Sequence, residues 1–351
     1  MPEDNIFKSL AGRRVALVGG AGFIGHHLAL TLTELGADVL VIDGLEVNNL
    51  LTYTALPPGS DNRELYLKII NQRFEKLHAA GVPIEVIDAR DYNLLSRALG
   101  NFEPQTVVHL AAVAHAGKSN KDPFSTFDHS LRTLENSLDY SRDKAEHFVY
   151  FSSSMVYGDF LTPEVAEDHQ LEPKGIYGAL KLAGEKLVIA YNQVFGLDYT
   201  NIRPSALYGP GCVSRRVSQI FIENALVGDN LRVDGVGEEK IDFSWIDDVV
   251  DGAVRVVAHP GARNQSLNIT TGGARQLRDL IEIVQEHFPE VEVEFVERDA
   301  LRPFRGTLDI SRARDLIGYD PQTQLEDGLD RYVAWYRDLT SGGVLAGQSD
   351  S

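Results

Sequence analysis

The chain is poor in the features that would place it outside the ordinary globular enzymes. It has a single cysteine, Cys212, so no intrachain disulfide can form and a reducing compartment fits. No apolar run approaches the ~20 residues that span a bilayer. The first fourteen residues, MPEDNIFKSLAGRR, carry no apolar core before a small-residue cleavage site, so no secretory signal is expected and a cytoplasmic, membrane-free location is. Basic residues are scarce: 33 Lys and Arg stand against 51 Asp and Glu, a formal charge of −18 that leaves no basic face for nucleic acid. No His, Cys and Asp cluster has metal-ligand spacing, so no metal is expected. An anionic substrate would have to be held by local Arg, Lys and backbone amides against an acidic field.

What is present is length and alternation. The 351 residues suffice for a large core, and 43% of them are apolar. Arg14–Val18 is a short apolar run ending in glycine, followed by a glycine turn, a helical pattern from Phe23 to Leu35 and a second apolar run, Val39–Ile42, that ends at Asp43. This is a βαβ unit with buried parallel strands. Residues 44–83 interrupt the alternation with a loop, Pro57-Pro58-Gly59-Ser60, and a helical stretch from Asp61 to Ala80, read as an insertion on the sheet edge. The alternation resumes at Ile84–Asp88 and Thr106–Leu110. A helix near Pro123–Arg142 leads to His147–Phe151, and a helix near Tyr177–Val194 leads to Tyr199–Arg203. The class is α/β, a doubly wound parallel sheet of the Rossmann kind with a smaller mixed α/β C-terminal substrate region. Residues 1–203 are assigned to the dinucleotide-binding unit, with a return segment at about 241–270. Residues 204–240 and 271–340 are assigned to the substrate region, and 341–351 to a flexible tail.

The glycine turn is Gly19-Gly20-Ala21-Gly22-Phe23-Ile24-Gly25. A side chain there would keep the backbone away from a pyrophosphate, and the following helix start offers free N–H groups and a partial positive charge. Asp43, about twenty residues on, can accept hydrogen bonds from a ribose diol and would repel a 2′-phosphate, which selects NAD over NADP. Asp88, at the end of the third strand, is a candidate for the adenine amino group. Tyr177 and Lys181 lie at i and i+4 in YGALK and share one helix face. A tyrosine titrates near ~10 unperturbed; a neighbouring ammonium and an oxidised nicotinamide would both favour its phenolate. Ser153, in Ser152-Ser153-Ser154, would bond the substrate oxygen.

Taken together, GGAGFIG, HLAA at 109–112, FSSSMVYG at 151–158, YGALK at 177–181, YGPG at 208–211 and DFSWIDD at 242–248 resemble the extended short-chain dehydrogenase/reductases, and within them the nucleotide-sugar epimerases and dehydratases. The resemblance runs from about residue 13 to 338. It implies a catalytic Ser153, Tyr177 and Lys181. It implies a cofactor site made of Gly19, Gly22, Phe23, Ile24, Gly25, Asp43, Asp88, Ala89, Leu110, Ala111, Ala112, Tyr177 and Lys181. It implies a homodimer through helices near 123–142 and 177–195. The 4,6-dehydratases place an Asp-Glu pair after the catalytic Ser/Thr and the related decarboxylases a Glu; here Ser154-Met155 stand there. Met cannot move a proton, which leaves a UDP-sugar 4-epimerase type of activity, with a net 4-dehydrogenase or ketoreductase and an idle NAD-binding scaffold as rivals. Two positions depart from the pattern: Ala206 replaces an Asn that contacts nucleotide-sugar, and Ile241 an Arg that binds the diphosphate. Arg215, Arg216, Arg302 and Arg305 are the candidate replacements, with His115, Ser153 and Ser154 as further substrate contacts.

Overall fold

The computed structural model describes residues 7–113 and 116–341. His115, and the tail from 342 onward, lie outside the described residues. Seven strands form one parallel sheet: β1 (Arg14–Val18), β2 (Asp38–Asp43), β3 (Ile84–Val86), β4 (Thr106–His109), β5 (His147–Phe151), β6 (Tyr199–Arg203) and β7 (Gln265–Asn268), in the spatial order β7-β6-β5-β4-β1-β2-β3. The register pairs Leu17 of β1 with Val41 on one side and Val108 on the other. The chain reverses direction across the sheet between β1 and β4, and the crevice at the carboxyl ends of these strands is where open α/β sheets take ligands.

Alternation along the strands explains why both faces are covered. Val15, Leu17 and Val41 pack into one apolar layer, whereas Ala16, Val18, Leu40 and Ile42 point into the other. Helices cover both faces, in chain order α1 (Phe23–Glu34), α2 (Arg63–Ala79), α3 (Tyr92–Phe102), α4 (Thr133–Ser141), α5 (Gly175–Phe195), α6 (Val217–Val227) and α7 (Ile246–Ala258). The first layer takes Leu28 of α1, Ile69 of α2 and Val249 of α7; the second takes Leu95 of α3, Leu134 of α4 and Val188 of α5. Beyond β6, the parallel pair Leu231–Asp234 with Val293–Val296, and the helices α6, Leu277–His287 and Leu325–Thr340, build the smaller C-terminal region.

Two readings of the sequence are corrected here. Residues 44–83 are not an insertion on the sheet edge. They are the crossover that a parallel β2–β3 pair requires, and α2 buries Leu65, Tyr66, Ile69, Ile70, Arg73 and Leu77 on the face beside α1. The third strand stops at Val86, so Asp88 sits in the turn after it. The helix expected near 123–142 runs from Pro123 to Ser141 and widens into a single π-helical turn at Asp128–Arg132, with α4 as its last part. β7, legible only as a short strand, joins the central sheet as its far edge beside β6.

Candidate active site

Two cavities meet at the switch point. The first is lined by the glycine turn, Asp43, Ala89, Leu110, Ala111 and Ala112. The second, of about 390 Å³, is lined by Ser153, Ser154, Met155, Tyr177 and Lys181, and by Arg215, Arg216, Arg302 and Arg305. That volume lies in the range of small-molecule sites. Ile24, Leu110, Ala112, Ser214 and Arg216 line both, so the cavities are continuous.

The first cavity has the form of a dinucleotide cradle. Gly19 has a left-handed φ of +84°, and a Cβ on it would lie 2.6 Å from the Ala111 amide nitrogen. A Cβ on Gly25 would lie 2.5 Å from the Gly20 carbonyl oxygen. Gly22 is the N-cap of α1, and no side chain caps that end, so its first N–H groups face the cavity free for a phosphate. Asp43 accepts from the Ala21 amide (3.0 Å) and the Leu45 amide (2.8 Å), which fixes the carboxylate beside the turn. Burial raises its pKa while both amides oppose the rise. Asp88 lines the same cavity, but Arg90 occupies its carboxylate through a 2.6 Å ion pair and holds its pKa down. These residues fit a dinucleotide: the cradle is open where a Cβ would fill it, and a fixed carboxylate stands at the strand end where a ribose diol would lie.

In the second cavity, Ser153 follows β5, with its Oγ accepting from the Met155 amide at 3.2 Å. Its hydroxyl acts on the Tyr177 phenol and favours the phenolate. Burial raises the pKa of Tyr177, and the guanidinium of Arg216 and the Ser153 hydroxyl pull it back. The cation acting on the phenol is thus Arg216. Lys181, expected to steady the phenolate, instead donates a 2.6 Å hydrogen bond to the Phe151 carbonyl and lies 4.9 Å from the centre of the Tyr150 ring. Burial brings its pKa down to about 7, with Glu185 opposing the fall.

Behind these residues lies a polar network that the sequence did not announce. Glu185, one turn beyond Lys181 on α5, forms a fully buried pair with Arg203 at 2.7 Å and accepts from Ser152 at 2.5 Å. Arg203 also reaches the Tyr157 hydroxyl (3.0 Å) and the Glu167 carbonyl (2.9 Å). The i, i+4, i+8 spacing of Tyr177, Lys181 and Glu185 was the signal available for it. His109, by contrast, is a buried strand-end side chain against Ser137 (3.1 Å), its pKa brought down to about 3 by burial.

The four arginines are not equivalent. Arg215 is exposed and takes a left-handed φ of 53°, its amide held by the Gln219 side chain at 2.9 Å. Arg302 is exposed and paired with Asp234. Arg305 is brought down to about 10 by burial and then by Arg302, Arg216 and Arg298. A cluster of cations this tight favours an anion between them. Ala206 and Ile241 line the same cavity and supply no charge to it.

Residues 15–270 match the model of the NAD dependent epimerase/dehydratase family. The chain belongs to that family. It is 29% identical to the UDP-glucose 4-epimerase of Mycolicibacterium smegmatis over 339 residues, covering 92% of this chain and 98% of the relative. Among solved structures it is similar to the UDP-glucose 4-epimerase of Thermotoga maritima with UDP-glucose, at 26% identity, a TM-score of 0.77, and coverage of 93% and 99%. It shares its fold with the UDP-glucuronic acid 4-epimerase of Bacillus cereus in complex with UDP-glucuronic acid and NAD, at 24% identity, a TM-score of 0.82, and coverage of 93% and 99%. A cofactor site for NAD, as the resemblance implied, accords with the family.

Proposed function

We propose that the chain is an NAD-dependent nucleotide-sugar 4-epimerase of the UDP-sugar type. The observation that carries the reading is the alignment of Ser153 with the Tyr177 phenol in a cavity continuous with the dinucleotide cradle, with Met155 where a dehydratase needs an acid. NAD supplies acceptance and return of a hydride at the sugar C4. Tyr177 takes the C4 hydroxyl proton as the 4-keto sugar forms and returns it to the epimer. Ser153 bonds the substrate oxygen in both states, and Lys181 holds the nicotinamide ribose. Gly19, Gly22 and Gly25, with the free N–H groups at Phe23 and Ile24, hold the dinucleotide pyrophosphate. Asp43 takes the ribose diol. Arg216, Arg302 and Arg305 hold the substrate diphosphate, in place of the charge missing at Ile241.

Incubation with UDP-glucose, UDP-glucuronate and their N-acetyl relatives will yield the C4 epimer with no net NADH. Absence of turnover across that panel would overturn the reading, and stoichiometric NADH would make the chain a 4-dehydrogenase.

The same reading assigns a homodimer. Phe124 is 84% exposed and Val194 71% exposed. They lie on the segments 123–142 and 177–195 expected to pair, and a second copy would cover them. Light scattering that finds a monomer at micromolar concentration would remove this part. A cytoplasmic location accords with the free, buried Cys212 and with the lack, among the described residues, of a helix long and apolar enough to cross a membrane. Cell fractionation tests it.

A further inference from the structure

The crossover between β2 and β3 carries three polar side chains tied to one loop, two directly and one through side chains of α6. Arg73, 2% exposed, donates from Nε to the Gly211 carbonyl at 2.8 Å, bonds the same oxygen from Nη2, and reaches the Ala21 carbonyl of the glycine turn from Nη1 at 3.4 Å. Tyr53 donates to the Val213 carbonyl at 2.8 Å. Tyr66 donates to Glu223 at 2.7 Å; Glu223 accepts from Gln219 at 2.8 Å, and Gln219 accepts the Arg215 amide at 2.9 Å. Loop 211–216 is therefore fixed at its start, middle and end by one segment.

That loop ends in Arg216, which lines both cavities and has a buried Nε with no hydrogen-bond partner. An unpartnered guanidinium N–H at the junction of two ligand sites is a donor held ready for one of them. It is also the cation that favours the Tyr177 phenolate. Arg73 also lines the first cavity and its charge acts on Asp43, so it faces the dinucleotide site as well as the loop; burying a guanidinium is costly unless its donors are used. Here they are used on the backbone of the loop and of the glycine turn.

We propose that Arg73, Tyr53 and Tyr66 form a brace that sets Arg216 between the dinucleotide and the nucleotide sugar, with Arg73 the positioning residue that ties the glycine turn to the arginine loop. This rests on the assignment of the two cavities made above. The brace couples the sites: a dinucleotide that orders the glycine turn orders Ala21, and through Arg73 the loop that meets the substrate. Arg73 touches no reacting atom.

The test is a double-mutant cycle of Arg73→Met and Arg216→Gln in the full chain, read on NAD+ affinity and on the pH–rate profile with UDP-glucose or UDP-glucuronate. Each single variant should weaken NAD+ about 5- to 10-fold, and the double variant no further than the worse single one, because Arg73 acts through Arg216. Both should move the basic-form limb of kcat upward by the same amount, since the phenolate loses its cation. Arg73→Lys, which keeps a donor for Gly211, should recover part of each effect. Full additivity in NAD+ affinity, or an unmoved limb in Arg73→Met, would overturn the proposal. Should Arg73→Met not fold, Tyr53→Phe, which removes only the hydroxyl bound to Val213, replaces it in the cycle under the same criterion. No turnover by the unmodified chain would count against the nucleotide-sugar reading alone, because the NAD+ arm still decides the brace.

Discussion

The ammonium of Lys181 donates a 2.6 Å hydrogen bond to the carbonyl oxygen of Phe151, the last residue of β5. Helix α5 is thereby tied to the strand end from which Ser153 follows. Burial brings Lys181 down to about 7. Below pH 7 the side chain is charged in both folded and unfolded chains, and the burial cost of the charge is fully present. From pH 7 to about 10 the unfolded chain binds a proton that the folded chain has released, so folding gains up to ~1.4 kcal/mol per pH unit from this group. Lys181→Met removes the gain. Urea unfolding from pH 6.5 to 9.5 should show the unmodified chain gaining on the variant as pH rises. Parallel curves would show that the lysine is not desolvated.

Tyr177→Phe removes the phenol that Ser153 and Arg216 act on and leaves the cradle untouched. The turnover number with the best UDP-sugar should fall by about 10²- to 10⁴-fold, the usual contribution of a positioned proton-transfer group. NAD+ affinity should change little. Retention of more than a tenth of the activity would show that another group carries the proton.

How much of this could be read from the chain depends on the kind of signal each residue gives. Val39–Ile42 reads as a buried strand because both faces of a parallel sheet are covered, and the glycine turn reads as a cradle because only glycine permits the φ at Gly19. The Tyr177–Lys181 pair follows from helical spacing alone. The role of α2 does not: its charged and apolar residues are interleaved, so Arg73 in INQRFEKL is indistinguishable from a solvated arginine until the loop at Gly211 folds over it. β7 is similarly obscure, since Gln265, Ser266 and Asn268 lack the apolar run of an inner strand and gain their place only by pairing with β6. Asp88 looked free because its partner, Arg90, lies only two residues on and its approach depends on the turn.

Gly19→Ala tests whether the cradle depends on the missing side chain. The left-handed φ of +84° costs a residue with a Cβ ~1 kcal/mol or more, and that Cβ would sit 2.6 Å from the Ala111 nitrogen on a strand end that cannot recede. A stability loss of at least ~2 kcal/mol in urea is expected, together with a marked fall in NAD+ affinity. Unaltered binding would mean that the pyrophosphate passes elsewhere.

The Glu185–Arg203 pair sets the hardest limit on substitution near the site. Both side chains are almost wholly buried, at 1% and 3% exposure, so neither charge can return to water when the other is removed. Arg203→Met leaves a buried carboxylate with Ser152 as its remaining bonded partner, leaves the Tyr157 hydroxyl with Asn268 alone, and removes the guanidinium donor from the Glu167 carbonyl. A loss of ~3–5 kcal/mol is expected for breaking such a pair. Arg203→Met combined with Glu185→Gln removes both charges and should recover part of that loss, because the desolvation penalty leaves with the second charge. The measurement is the urea midpoint of the single and double variants. If the double variant is less stable than Arg203→Met by the full cost of Glu185→Gln alone, the two side chains act independently, and the pair does not anchor the helix that presents Tyr177 and Lys181.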